Sequence, residues 1–135
     1  MAQPSKYLTW SEIACKDGTP YPYDFIQEGR LHQLVTMFEN IRNIYNKPLI
    51  VLSAFRTPEW NKKIGGAKHS QHVQGRALDL KPPKGVSVTT FYNDVKSFAK
   101  LFGIHGLGQY QTFIHVDFRP IEDIVYWSSD LKKDS

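Results

Sequence analysis

Ser70–Leu80 has the sequence SQHVQGRALDL, a histidine-bearing loop that runs directly into a short strand. Successive side chains of a strand point to opposite faces, so Ala77 and Asp79 share one face. The two prolines that follow at 82–83 end the strand, because proline cannot donate to a strand ladder. The segment therefore predicts a loop that presents His72 beside a rigid strand that presents Asp79.

Four helices are predicted around this segment. Thr9 and Glu12 form a capping-box pair at the start of a short N-terminal helix. Thr57-Pro58-Glu59 opens another short helix, which Gly65-Gly66 ends. Apolar residues at three- and four-residue spacing predict two longer amphipathic helices, the second over about 88–102. These apolar residues are Leu31, Leu34, Val35, Phe38, Ile41 and Ile44 in the first, and Phe91, Val95, Phe98 and Phe102 in the second.

Further strands complete the predicted fold. Residues 49–52 form a short apolar run that predicts a buried strand, which delivers residues 53–56 at its end. The glycines at 103, 106 and 108 lead into the last strands, and the final one, over 113–118, carries His115. Helices in front of and between short strands, with few residues for a crossover between the last two, predict an α+β domain with a small antiparallel sheet flanked by helices.

The composition fits one compact domain over residues 1–135, with a polar tail from about 128 to 135. With 135 residues, 41% of them hydrophobic, the chain can bury a core. The single cysteine, Cys15, excludes an internal disulfide and is expected to be a small buried hydrophobe. We expect a monomer.

The charge of the chain indicates little about its partners. The net charge is +4, and the basic residues are spread along the chain, so nucleic-acid binding is not indicated. A basic surface favours an anionic partner such as a bacterial cell wall, but so small an excess also fits an ordinary solvated surface.

No part of the sequence predicts insertion into a membrane. No apolar run approaches the roughly 20 residues that a spanning helix needs. The first ten residues also lack the basic start and apolar stretch of a secretory signal. We expect a chain that is synthesised in the cytoplasm without a signal peptide.

His72, Asp79 and His115 are the candidate ligands of one Zn²⁺ ion. Catalytic zinc usually takes three protein ligands and leaves a fourth position for water. Such an ion lowers the pKa of its water and polarises a carbonyl, which suits peptide hydrolysis. The spacing differs from the helical His-Glu-x-x-His pair, and the alternative is that His72 caps a turn while Asp79 binds backbone amides.

Five motifs are spread along the chain from Leu8 to Arg119. They are Ser53-Ala54-Phe55-Arg56-Thr57-Pro58-Glu59-Trp60-Asn61, Gly65-Gly66-Ala67, Ser70-x-His72-x-x-Gly75-x-Ala77-x-Asp79, Gly106-x-Gly108-x-Tyr110 and Phe113-Ile114-His115-Val116-Asp117. Together they resemble the M15 family of zinc D,D-peptidases, in particular the short forms among phage endolysins and murein peptidases. The resemblance implies the fold of the hedgehog signalling domain and of D-Ala-D-Ala dipeptidases, with one zinc ion.

The resemblance also implies roles for individual residues. It makes His72, Asp79 and His115 the zinc ligands, and Arg56 the arginine that contacts the substrate. A guanidinium suits that role because paired hydrogen bonds can grip a carboxylate or stabilise an oxyanion. Ser70 is placed to bind substrate or to orient the loop that bears His72.

Two other motif residues, Tyr110 and Gly75, have two interpretations each. Tyr110 reaches the substrate or packs on the sheet, and packing is the expected role. Gly75 provides a backbone shape or a close approach that a side chain would prevent, or is an ordinary turn glycine. Trp127 is expected to be a packing residue.

At the positions of the general base, this sequence differs from the better understood branches of the family. Those branches carry an acidic residue three positions before the last ligand or a histidine two before it, where this chain has Thr112 and Phe113. Asp117 is the best substitute because it shares a strand face with His115. It serves as the base or orients a ligand histidine through a hydrogen bond. His105 is a weaker candidate.

These observations predict a zinc-dependent peptidase of bacterial peptidoglycan that hydrolyses stem peptides by metal-activated water. It would act as a D-Ala-D-Ala carboxypeptidase or as an endopeptidase between L-Ala and D-Glu, at the cell wall, as a phage lysin or virion component. The alternative from another class is a zinc-stabilised cell-wall or protein binding module without turnover. A third interpretation is a metal-free structural domain.

Overall fold

The computed structural model describes residues 2–128, which contain five helices and five strands. In chain order these are α1 (Trp10–Ile13), α2 (Tyr23–Gln27), α3 (Arg30–Tyr45), β1 (Val51–Ser53), α4 (Pro58–Lys63), β2 (Ala77–Leu80), α5 (Val88–Phe98), β3 (Gly106–Gln109), β4 (Ile114–Asp117) and β5 (Val125–Ser128). The predicted α+β class is confirmed. None of the described helices is long and apolar enough to cross a membrane.

The four predicted helices are present, and one more was not predicted. Thr9 and Glu12 form the expected capping box at α1, and Thr57 caps α4. Helix α5 ends at Phe98, not near 102, and the chain continues in turns that stack Phe102 on Phe98. Helix α2 has only five residues, too few for a helical repeat of apolar positions to be visible.

The sheet has the strand order β1-β2-β4-β3-β5. The first four of these strands pair antiparallel, as predicted, but β5 pairs parallel with β3, so the sheet is mixed. The strand that carries His115 is therefore not the last one. The connection over 118–124 crosses the end of β3 and returns β5 on its far side. The predicted polar tail lies outside the described residues, apart from Ser128, which ends β5.

The core lies between one face of the sheet and the two long helices. That face carries the buried residues Leu78, Leu80, Leu107, Ile114 and Val116, which join Leu34, Phe38 and Ile41 of α3 and Phe91 and Val95 of α5 in one cluster. Cys15 is buried in this core, as predicted. Side chains alternate along each strand, so the opposite face is left to carry Asp79 and His115.

Strand β1 differs from its prediction as a fully buried strand. Leu49 and Val51 are buried, but Ile50 is 57% exposed and Leu52 is 37% exposed. The reason is that side chains alternate along the run, so one face packs on the core and the face that carries Ile50 and Leu52 meets solvent. An apolar run of this length does not distinguish a strand buried on one face from one buried on both.

Gly75 connects the loop of His72 to the N-terminal part of the chain. Its φ is +68°, in the left-handed region, and a Cβ there would lie 2.5 Å from Cδ2 of Phe25. The hydroxyl of Tyr21 donates to the carbonyl oxygen of Gly75 at 2.6 Å. Both the special backbone shape and the close approach expected of this glycine are present.

We predict that Gly75→Ala destabilises the fold more than Gly103→Ala. Both glycines have positive φ, which costs an L-residue about 1–2 kcal/mol, but nothing lies within 4 Å of a Cβ at Gly103. Gly75→Ala adds the overlap with Phe25, which costs about 1–3 kcal/mol more. Urea unfolding of the two variants measures the difference, and equal losses would contradict the packing argument.

Candidate metal centre

Five paired positions form one row across the sheet on the face opposite the core. Ser53 pairs with Asp79, Asp79 with His115, His115 with Gly108, and Gly108 with Trp127. Because paired residues in adjacent strands point to the same side, Asp79 and His115 meet although they are far apart in sequence. The row explains why the motif that contains Asp79 and the motif that contains His115 lie at one place in the fold.

His72 reaches this row from the loop before β2. Its Nδ1 lies 2.6 Å from the carbonyl oxygen of Ala54, and its Nε2 lies 3.1 Å from Oδ1 of Asp79. A carbonyl oxygen can only accept, so Nδ1 carries the proton and Nε2 presents its lone pair toward Asp79. The backbone N–H of His72 donates to Oγ of Ser70 at 3.1 Å, which fixes the loop.

His115 faces two carboxylates with its two ring nitrogens. Nδ1 lies 3.0 Å from Oδ1 of Asp79, and Nε2 lies 2.7 Å from Oδ2 of Asp117. The Asp117 carboxylate accepts from Nε2, so Nδ1 is the nitrogen that points toward Asp79 and His72. The His72 and His115 rings stand edge to face with centroids 5.2 Å apart.

Asp79 divides its carboxylate between the histidines and an arginine. Oδ1 faces both imidazoles, whereas Oδ2 accepts from Nη2 of Arg56 at 3.3 Å. Arg56 is only 2% exposed and also donates from Nε to Oγ of Ser53 and from Nη1 to Oδ1 of Asn61, each at 3.0 Å. The guanidinium therefore holds Asp79 from behind and orients Oδ1 toward the histidines.

The surroundings shift the pKa values of all three candidate ligands. Burial lowers the pKa of His72 and outweighs the nearby Asp79 carboxylate, so the imidazole is neutral. Burial alone would raise the pKa of Asp79, but its contacts with the two histidines outweigh it, and the pKa lies well below its usual range. Burial would lower the pKa of His115, but its contacts with Asp117 and Asp79 outweigh it and raise the pKa, which favours the charged ring in the metal-free protein. A neutral imidazole and an ionised carboxylate are the ligand forms, so a metal bound here would displace a proton from His115.

The three side chains fit one metal ion. One ligand atom from each of His72, Asp79 and His115 can be chosen so that all lie within 4.8 Å of one another, and all three residues are buried. The two nitrogen-to-Oδ1 distances of 3.0 and 3.1 Å are near the roughly 3.4 Å between neighbouring donors of a tetrahedral zinc site. Two imidazoles and a carboxylate are a donor set that zinc accepts.

Asp117 is fully buried beside the candidate ligands. Besides Nε2 of His115, it accepts from Nη2 of Arg119 at 2.6 Å on Oδ2, and from the Nε and backbone N–H of Arg119, both at 3.0 Å, on Oδ1. Burial would raise the pKa of Asp117, but the hydrogen bonds from His115 and Arg119 outweigh it and leave the pKa below its usual range. Of the two roles predicted for Asp117, these contacts favour orientation of His115.

The remaining predicted site residues lie at different positions. Ser70 is buried and supports the His72 loop, as one of its two predicted roles requires. Tyr110 stacks on Phe113 with ring centroids 4.7 Å apart, and its substrate contact stays a prediction. His105 directs Nδ1 to the carbonyl oxygen of Arg119 at 3.0 Å and has no contact with the candidate ligands among the contacts described for residues 2–128.

Three residues near the centre were not predicted to take part in it. Asn61 holds Arg56 and also donates to the carbonyl oxygen of Ala67 at 2.9 Å. Arg119 covers Asp117, and Trp127 lies with its ring centroid 5.4 Å from that of His115. The sequence offered a signal for Arg119, because it lies two residues beyond Asp117 and side chains two apart in an extended chain point to the same side. The distant Trp127 had none, because its position depends on the unpredicted β5.

Comparison with known proteins identifies the family. The family model described as Peptidase M15 matches residues 6–117, which is most of the chain. The protein belongs to the M15 peptidase family, and the resemblance seen in the sequence motifs is confirmed. The match includes the positions of all three candidate ligands. No curated protein matches the chain at a significant level.

We predict that Gly66→Ala weakens metal binding by about tenfold or more, in the range reported when partners of metal ligands are changed. A Cβ at Gly66 would lie 2.0 Å from Oδ1 of Asn61 and 2.8 Å from Nη1 of Arg56, so it must push apart the pair that holds Asp79. Gly65→Ala is the control, since nothing lies within 4 Å of its Cβ and its cost is the backbone strain of a φ of +77° away from the Arg56–Asn61 pair. Chelator competition measures the affinities, and wild-type affinity in Gly66→Ala would refute the argument.

Proposed function

We propose that this M15 peptidase is zinc-dependent and hydrolyses the stem peptides of bacterial peptidoglycan. The observation that carries the proposal is the convergence of His72, Asp79 and His115 on one buried point, in a chain of this peptidase family. Zinc bound there would supply a Lewis acid that lowers the pKa of water and polarises a carbonyl oxygen. A phage lysin or a virion component remains the predicted setting.

Each proposed ligand has a second protein contact that orients it. The Ala54 carbonyl oxygen holds His72, the Arg56 guanidinium holds Asp79, and the Asp117 carboxylate holds His115. Such contacts fix the tautomer and direction of a ligand and raise the basicity of an imidazole. The arrangement supports a site that is formed before the metal arrives.

Arg56 has a further proposed role at the substrate. In the family resemblance it grips a substrate carboxylate or carbonyl, and both a terminal D-Ala carboxylate and that of D-Glu lie near the bonds considered. Its hydrogen bonds to Ser53, Asn61 and Asp79 make it first a support for Asp79. We therefore propose Arg56 as a positioning residue whose charge also favours an anionic substrate near the metal.

The alternative is a binding module that holds zinc without turnover. One observation favours it: Asp117, the predicted base, has both carboxylate oxygens occupied by His115 and Arg119, and its pKa is lowered. A general base works best with a pKa near the working pH, which this environment opposes. The two proposals share the zinc site and differ only in whether peptide bonds are cut.

We predict that the zinc-loaded protein releases fragments from purified peptidoglycan and that a chelator stops the release. The substitution His72→Ala should also stop the release, because it removes a proposed zinc ligand. Mass spectrometry identifies the bond: free D-Ala indicates a carboxypeptidase, and fragments that begin with D-Glu indicate an endopeptidase. No release from several wall types with zinc still bound would favour the binding module. Protein that neither holds zinc nor gains thermal stability from it would be a metal-free structural domain.

Asp117→Ala separates the two roles of that residue. We predict a zinc affinity about 10- to 100-fold below that of the wild type, because the contact that orients His115 is lost. Glu122→Ala, on the exposed connection to β5, is the control for loss of an acidic side chain. Unchanged zinc affinity with loss of turnover would instead identify Asp117 as the base.

A further inference from the structure

We propose that Arg119 is a positioning residue for the metal centre, which it controls through Asp117 and His115. The inference rests on the proposed function, because it concerns the third zinc ligand. Arg119 touches none of the candidate ligand atoms itself. It acts through the carboxylate that it shares with His115, at the start of the connection that leads from β4 to β5.

The Arg119 guanidinium grips both oxygens of one carboxylate. Nε donates to Oδ1 of Asp117 at 3.0 Å and Nη2 donates to Oδ2 at 2.6 Å, while the backbone N–H of Arg119 adds a bond to Oδ1 at 3.0 Å. Such a two-point contact fixes the plane of the carboxylate as well as its place. Oδ2 is therefore held where it accepts from Nε2 of His115 at 2.7 Å.

The positive charge is needed because Asp117 is fully buried. A buried carboxylate without a paired cation is costly and is driven to move toward water. Such a movement would weaken its hold on Nε2 of His115. The side chain of Arg119 is 27% exposed, so this arginine keeps contact with solvent while it neutralises the charge beneath it.

Trp127 connects the same arginine to the His115 ring. The Arg119 guanidinium lies 5.2 Å from the indole centroid, and the indole centroid lies 5.4 Å from that of His115, with the two rings tilted by 43°. Nε1 of Trp127 donates to the hydroxyl oxygen of Tyr110 at 3.0 Å, which fixes the indole. His115 thus contacts Asp117 through Nε2 and Trp127 through its ring, and Arg119 contacts both of these residues.

Two glycines of β3 make room for this assembly. A Cβ at Gly106 would lie 2.4 Å from Oδ2 of Asp117, and a Cβ at Gly108 would lie 2.3 Å from the indole of Trp127. A side chain at either position would displace one of the two groups that hold His115. The clearance at both positions is what an assembly built around the ring requires, and a sheet that only needed stability would favour β-branched residues there.

The test compares Arg119→Met and Arg119→Lys with the wild type and with Arg42→Met. Arg42 is the control, since its guanidinium lies 3.3 Å from the Tyr7 ring centroid and has no contact with the candidate ligands among those described for residues 2–128. Two quantities are measured. One is the NMR signal of the Nε2 proton of His115 in metal-free protein, assigned by its loss in His115→Gln, and the other is zinc affinity by chelator competition.

We expect the wild type and Arg42→Met to share a slowly exchanging ring proton and the same zinc affinity. Arg119→Met should lose the signal and bind zinc about 10- to 100-fold more weakly. Arg119→Lys keeps the charge without the two-point contact and should lie between them. If Arg119→Met does not fold, Arg119→Lys decides the matter by the same two measurements.

Two outcomes separate this inference from the proposed function. Lower thermal stability of Arg119→Met and Arg119→Lys with an unchanged ring signal and unchanged zinc affinity would make Arg119 purely structural and overturn the inference. A wild type that binds no zinc would overturn the proposed function instead. The ring signal of the metal-free protein would then still decide whether Arg119 positions His115.

Discussion

The pairing of Asp79 with His115 across β2 and β4 is the constraint on which the rest of the site depends. A shift of one residue in this register would turn either side chain to the core face, because strand side chains alternate. The apolar residues Leu78 and Val116 pair on that core face and are fully buried, so such a shift would expose them. The hydrophobic core thus sets the geometry of the candidate ligands.

Burial of charge explains the partners that surround the ligands. Asp79 and Asp117 are both buried carboxylates on one face, and each is held by its own arginine, Arg56 or Arg119. Arg56 contacts Oδ2 of Asp79, whereas Oδ1 of Asp79 faces the histidines. Arg119 contacts both oxygens of Asp117, which accepts from Nε2 of His115, the ring nitrogen that does not face Asp79. The charges are therefore compensated by the protein on the outside of the centre, which leaves its middle for a cation.

Much of this arrangement could be predicted from the sequence, and the limit has a physical cause. The candidate ligands could be named because their motifs are local, and the helices of the core could be predicted because apolar spacing is periodic. Strand β5 was missed, since its residues Val125 and Tyr126 are exposed and show no alternation. The contacts of Trp127 with Arg119 and His115 depend on how β5 returns beside β3, and that information is not local in the sequence.

The glycines of β3 illustrate how the site and the fold compete. Glycine inside a strand costs stability, roughly 0.5–1 kcal/mol relative to alanine. Gly106 and Gly108 nevertheless occupy alternate positions of a central strand, both on the face of the metal centre. Their missing side chains leave space for a carboxylate and an indole that hold His115. Leu107, between them, is fully buried on the opposite face. The same strand therefore contributes a side chain to the core on one face and leaves room for the site on the other.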